Sequence, residues 1–149
     1  MIPLHYTDSC IFLELFSNVK GNKSGVVKAY LYDIGRKYNI MISNLNPGEI
    51  SRELNKIEND ADRVMAFHKI NDIIKNIEIS SPQFADYTLA LELRRVYYKI
   101  EPADALHLAM AISNKASIFA TLGEKELANN ERVKEFCEKK GLKIKIIER

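Results

Sequence analysis

The sequence is poor in the features that announce a function at sight. It has two cysteines, Cys10 and Cys137, far apart and without metal-ligand spacing, so neither a disulfide framework nor a zinc site is implied; a reducing, cytoplasmic setting is expected. No apolar run approaches the length of a membrane span, and the first residues lack the basic and apolar regions of a signal peptide, so no membrane association is expected. A glycine-rich dinucleotide fingerprint, a P-loop and internal repeats are all missing, which argues against nucleotide-binding and solenoid architectures. Charge of one sign is missing too: the net value is +2, too small to mark a nucleic-acid binder by itself. If several acids share one cleft, however, the remaining surface is more basic than that total suggests. What is present is an ordinary globular composition, 46% hydrophobic and 28% charged over 149 residues, which fits one domain spanning 1–149.

The most informative stretch is residues 101–127. Pro102 suits a first helical position, where its missing N–H costs nothing, and a helix is expected over 102–114. From Ala103 to Ile112 every residue except Asp104 and His107 is apolar, and a helix apolar all round is a buried one. Asp104 and His107, spaced i, i+3, share one face near the helix start, where the dipole favours an anion. An ionised carboxylate in so apolar a helix needs a partner or water. Asp104 is then either a first-turn dipole stabiliser, with His107 a hydrogen-bonded core histidine, or a metal ligand in a cleft shared with acids from elsewhere. After the helix, Ser117-Ile118-Phe119-Ala120 reads as a short buried strand, followed by Thr121-Leu122-Gly123-Glu124 and another helical stretch.

Elsewhere the chain alternates strands and helices. Residues 2–7 read as a strand that ends at Asp8-Ser9. Ile11, Phe12, Leu15, Phe16 and Val19 then recur at helical spacing, which puts Asp8 at a strand-to-helix junction. In open α/β sheets such strand ends bind ligands, although Asp is also a common helix N-cap. Cys10 has no activating base nearby in sequence and reads as a buried thiol. After a loop at 21–25, a helix is expected with Val27, Tyr30, Leu31, Ile34 and Tyr38 on one stripe. Ile40-Met41-Ile42 forms the next strand, ending at Ser43. Asn46-Pro47-Gly48-Glu49 then has the pattern of an N-cap, N1 and N3 capping box for a helix with Ile50, Leu54 and Ile57 inward. Glu49 is alternatively a second site carboxylate, with Glu53 one turn later as its competitor.

A charged helix over 60–76 is expected to turn Val64, Phe67, Ile70 and Ile74 inward. Ile77-Glu78-Ile79 reads as a short strand or extended segment, and a helix follows from Ser81-Pro82 to Lys99. Its end interleaves Arg94, Arg95, Tyr97, Tyr98 and Lys99, a mixture suited to a phosphate backbone or, more plainly, to a solvated rim. A helix over 130–140 closed by Gly141 and an edge strand over 143–147 with exposed lysines complete the chain. Strands alternating with helices in this way predict a three-layer α/β/α sandwich with a mainly parallel central sheet.

Asp104-Ala105-Leu106-His107-Leu108-Ala109, the strand after it and Thr121, taken with Asp8-Ser9 after the first strand and Gly48-Glu49-Ile50 after the second, resemble the PIN domain family of small metal-dependent ribonucleases. The resemblance covers nearly the whole chain. It implies that Asp8, Glu49 and Asp104 are catalytic and hold a divalent cation, with Ser9 and Thr121 ordering the site. An oxygen-only donor set suits Mg²⁺ or Mn²⁺ rather than zinc. It also implies hydrolysis of RNA to 5′-phosphate and 3′-hydroxyl ends, an antitoxin protein as inhibitor and a homodimeric state; the basic-aromatic mixture at the end of the helix preceding Asp104 makes Arg94, Arg95 and Lys99 the expected RNA contacts.

The sequence departs from the family pattern where a fourth acid is usual, two places after Thr121. That place holds Gly123, with Glu124 one position late as a further candidate ligand. The Asn that often follows the first Asp-Ser pair is replaced by Cys10. A second reading is therefore kept: a catalytically weakened PIN-like domain that binds RNA or a protein. A phosphatase- or receiver-like use of Asp8 finds no matching phosphate loop or lysine motif.

Overall fold

The computed structural model describes residues 1–16, 23–123 and 126–148. The alternation of β1 (Leu4–Thr7) divides the core in two, because successive strand side chains point to opposite faces. Tyr6 pairs with Met41 of β2 (Asn39–Ser43) and Phe119 of β4 (Ile118–Thr121), and all three lie in one apolar cluster. His5 sits in register with Ile40 and Ile118, facing the second cluster, which holds Ile40, Ile42 and Ala120. With β3 (Glu78–Ser80) and β5 (Lys143–Ile146) the strands order as β3-β2-β1-β4-β5, and every pair is parallel.

Helices cover both faces. α1 (Ser9–Leu13), α2 (Ser24–Tyr32), α3 (Leu45–Leu54) and α4 (Asp60–Ile74) pack on the Ile40 and Ile42 side. α5 (Phe84–Val96), α6 (Pro102–Ser113) and α7 (Glu131–Lys139) pack on the Tyr6 and Phe119 side. This is the expected three-layer α/β/α architecture. α6 is its most deeply buried helix: residues 105–111 are buried without interruption, and each large aliphatic side chain so buried stabilises the fold by about 1.5–3 kcal/mol. From β1 the chain runs outward through β2 and β3, then returns to lay β4 and β5 on the other side. The reversal falls between β1 and β4, the crevice where open α/β sheets place their ligand sites. Among the described residues, no helix is long and apolar enough to cross a membrane.

Several boundaries differ from the sequence pattern, each for a local reason. α1 ends at Leu13 and passes into a 3₁₀ turn at Glu14–Phe16; Val19 lies outside the described residues. α2 stops at Tyr32 rather than continuing to Tyr38, because Gly35 adopts φ of 80° and its amide donates to Tyr38 O at 2.7 Å. In α4 Ile70 is buried and Phe67 and Ile74 pack partly buried against the same cluster, as expected; Ala66 is buried as well, and Val64 is 52% exposed. α5 begins at Phe84 rather than Pro82, since Gln83 N donates to the Asp86 carboxylate in a capping box, and it ends at Val96 because Tyr97 is extended. At Glu78–Ser80 the tentative third strand is real, paired with β2, and Gly141 closes α7 with φ of 89°.

The turn at Gly35 returns Tyr38 over the sheet, where its ring stacks on His5 at 4.1 Å between centroids. His5 Nδ1 lies 2.9 Å from the Tyr30 hydroxyl, and that hydroxyl lies 3.1 Å from Thr7 Oγ1. Burial, followed by the Lys145 ammonium, holds the His5 pKa down at about 4 instead of 6.5. Between those values the unfolded chain binds a proton that the folded chain refuses, so stability falls as pH drops through that window. The urea midpoint is expected to decline between pH 7 and pH 4.5, and to decline less steeply in His5→Asn protein. Equal slopes for the two proteins would remove His5 from the account.

Candidate active site

The end of β1 carries the first functional side chain. The Asp8 amide donates to Ala120 O at 2.9 Å, extending the ladder one residue past the strand and bringing Asp8 against β4. Its carboxylate is fully buried and accepts from the Thr121 hydroxyl at 2.8 Å on Oδ2. Asp8 occupies the N-cap position of α1, yet its side chain makes no capping hydrogen bond, so the helix-cap reading does not describe it. Cys10 is half-buried, with Sγ 3.6 Å from Thr121 Oγ1.

Glu49 is the second. The capping-box pattern over residues 46–49 is not what forms. α3 starts at Leu45, two residues early, with Asn44 in the cap position, and Ser43 Oγ accepts from Leu45 N at 3.1 Å. This releases both side chains of the pattern for tertiary contacts. Glu49 Oε1 accepts from Ser9 Oγ at 2.7 Å and lies 2.8 Å from His107 Nε2. Its competitor Glu53 is in a surface ion pair with Lys56 at 2.9 Å.

Asn46 is completely buried. Its Oδ1 accepts from Ser43 N at 2.9 Å and lies 3.2 Å from the Tyr6 hydroxyl; its Nδ2 donates to Ser9 Oγ at 2.9 Å and to Thr7 O at 3.3 Å. The Tyr6 hydroxyl is 2.5 Å from His107 Nδ1. Tyr6, His107, Glu49, Ser9 and Asn46 thus form a ring of polar side-chain contacts across β1, α1, α3 and α6. Burial raises the Tyr6 pKa well above 10, and the nearby Glu49 and Asp8 carboxylates raise it further, so the phenol keeps its proton.

Asp104 lies in the first turn of α6, half-buried, three residues and therefore about 4.5 Å of helix rise before His107. Among the described residues, no group of three or more His, Cys, Asp or Glu side chains is gathered closely enough to hold a metal ion. Ser9 and Thr121 each donate to one carboxylate, Glu49 and Asp8 respectively. Glu124 lies outside the described residues. Arg95 and Lys99 are exposed. Arg94 is half-buried, and its Nε is buried without a hydrogen-bond partner among the described residues. Tyr6 and Asn46 were not singled out from sequence as site residues. The available signal was Asn46 and Glu49 at i, i+3, which shows a shared face but not whether that face looks along its own helix or across to another.

The family model for the PIN domain matches residues 6–133. The chain belongs to the PIN domain family. Solved structures agree at the level of the fold. This PIN domain superposes with a TM-score of 0.70 on VapBC2 from Rickettsia felis bound to a promoter DNA fragment, at 15% identity over 97% of this chain and 99% of the other. It matches FitAcB from Neisseria gonorrhoeae with a TM-score of 0.67, at 13% identity over 94% and 95% of the two chains. For a toxin–antitoxin complex from Klebsiella pneumoniae the values are 0.62, 19%, 86% and 93%. No curated protein matches this chain by sequence.

Asn46→Ala is expected to destabilise this PIN domain by about 3 kcal/mol in urea unfolding, because it strands the buried Ser43 amide and loosens Tyr6 and Ser9 together. A loss under about 1 kcal/mol would show that the ring re-forms without Asn46.

Proposed function

We propose that the 149 residues form a single ribonuclease domain, dependent on a divalent cation, that acts in the cytoplasm as the toxin of a toxin–antitoxin pair. The observation that carries this reading is the buried Asp8 carboxylate, anchored by Thr121 at the β1/β4 reversal. A side chain that caps no helix, and is held in place by a hydroxyl, is built for something other than local structure. PIN domains are generally metal-dependent nucleases. The donor chemistry suits such a cation: Asp8 Oδ2 and Glu49 Oε1 are anchored by hydrogen bonds, and Asp104 adds a third carboxylate at the start of the helix that carries His107, although the three are not gathered into a closed metal cluster among the described residues. Only oxygen donors are offered, as suits Mg²⁺ or Mn²⁺.

Asp8, Glu49 and Asp104 would hold the ion. When bound, it supplies positive charge to the scissile phosphate and lowers the pKa of water for attack. The protein's own part is preorganisation. Thr121 fixes Asp8, while Ser9 and His107 fix Glu49, so neither carboxylate has to be ordered when RNA arrives. Arg94, Arg95 and Lys99 would meet the RNA backbone. Hydrolysis adds water across the P–O3′ bond, leaving a 5′-phosphate on one product and a 3′-hydroxyl on the other. An antitoxin partner is supported by the Klebsiella pneumoniae neighbour, a toxin–antitoxin complex. A homodimer is supported by the exposed apolar stripe Phe84, Tyr87 and Leu91 on α5.

Asp8→Asn and Asp104→Asn are each expected to lower Mn²⁺-dependent cleavage of a structured RNA pool by about 100-fold or more while leaving the thermal midpoint near wild type. Full activity in either variant refutes the assignment.

Gly123 favours the second reading, a weakened binding module. A Cβ built there meets Ile146 Cγ2 at 3.6 Å and Lys23 Nζ at 3.8 Å, ordinary contacts, so the backbone at this position accepts a Cβ without a clash. On the ribonuclease reading, wild-type protein cleaves RNA and Gly123→Asp changes the rate little. On the module reading, EDTA-sensitive cleavage appears only in the Gly123→Asp variant.

A further inference from the structure

We propose that His107 and Tyr6 are positioning residues for Glu49: the Tyr6 phenol donates to His107 Nδ1, His107 Nε2–H donates to Glu49 Oε1, and the carboxylate is thereby held for its ligand through one fixed oxygen. The role in cleavage rests on the ribonuclease reading; the hydrogen-bond chain does not. The chain follows from counting protons. An ionised carboxylate only accepts, so the contact between Glu49 Oε1 and His107 Nε2 at 2.8 Å requires the proton on Nε2. A neutral imidazole with Nε2–H has a lone pair on Nδ1, and the group facing it at 2.5 Å is the Tyr6 hydroxyl.

That hydroxyl has one proton, and His107 Nδ1 is the nearest acceptor. The alternative acceptor, Asn46 Oδ1, is farther away at 3.2 Å and already accepts from Ser43 N at 2.9 Å. The shorter contact takes the proton. His107 itself is fully buried and flanked on α6 by Leu106 and Leu108, so the ring cannot turn out to solvent to satisfy Nδ1. Tyr6 is locked as firmly, fully buried and stacked on Phe119 at 5.5 Å between centroids.

At the other end Glu49 is the mobile member. Its side chain is 27% exposed and has the rotamer freedom that a long carboxylate loses only when tethered. Ser9 and His107 both act on Oε1, from α1 and α6, so two rigid elements fix the same atom. A group that orients a ligand side chain in this way commonly changes metal affinity by about 10- to 100-fold when it is lost.

The test combines tautomer, metal affinity and coupling. Two-dimensional ¹⁵N–¹H spectra of histidine-labelled protein are expected to show His107 as the Nε2–H tautomer; protonation on Nδ1, alone or with Nε2, overturns the proposal. Mn²⁺ titration is expected to show His107→Leu weakened by about 10- to 100-fold, Tyr6→Phe weakened less, and His107→Gln, which keeps a donor, recovering much of the loss. In a Glu49→Ala background His107→Leu should cost nothing further, because the residue through which it acts is gone; equal losses in both backgrounds overturn the proposal. If wild-type protein binds no Mn²⁺ and cuts no RNA, the ribonuclease reading fails. The tautomer, and the same cycle measured by urea unfolding, still decide the clamp.

Discussion

A buried carboxylate at Asp8 has to be satisfied from within the protein, and much of the architecture can be read as the means of doing so. The hydroxyl that satisfies it, Thr121, is the last residue of β4, and β4 reaches Asp8 only because the chain reverses its strand order between β1 and β4. Remove that reversal and Asp8 would face an empty strand edge. The parallel sheet in turn needs helices on both faces, which is why α6 is apolar nearly all round. One donor-acceptor pair thus connects sheet order, helix composition and the placement of charge.

The polar ring beside it obeys the same economy of partners. Tyr6 and Asn46 are fully buried, yet each finds hydrogen bonds, Tyr6 with His107 and Asn46 with Ser43 and Ser9. Polar groups in such a setting are either completely satisfied or strongly destabilising. The geometry of Glu49 is therefore inherited from core packing: the carboxylate is only as well placed as the rings of Tyr6 and His107 are packed.

The layers, the parallel sheet and the identity of α6 were legible in the sequence because they rest on periodicity, which short windows display. Residues 103–112 could hardly be anything but a buried helix, and the strict alternation at Lys143-Ile144-Lys145-Ile146 matches the edge strand found there. Local chemistry was a poorer guide where tertiary partners compete for the same atoms. Asn46 and Glu49 have the spacing of a capping box and do not cap; Asp8 stands at an N-cap and does not cap. In each case a partner distant in sequence, Ser9, His107 or Thr121, offers a buried hydrogen bond that a solvated helix end does not match. Gly35 shows the converse, a single local residue ending a helix that the apolar stripe alone would have carried on to Tyr38.

The span of these contacts has a kinetic meaning. Tyr6 meets His107 across 101 positions and Asp8 meets Thr121 across 113, whereas the pairing of β1 with β2 joins residues about a third as far apart. Closing the longer loops costs more chain entropy before any contact repays it, and topologies of high contact order fold slowly for that reason. The docking of β4 against β1 thus belongs among the late events, and it is the same event that brings Thr121 to Asp8. A partly folded chain can hold β1, β2 and their helices and still lack the contact between Thr121 and Asp8. On the ribonuclease reading, competence arrives with the final closure of the sheet, and intermediates are chemically silent by construction.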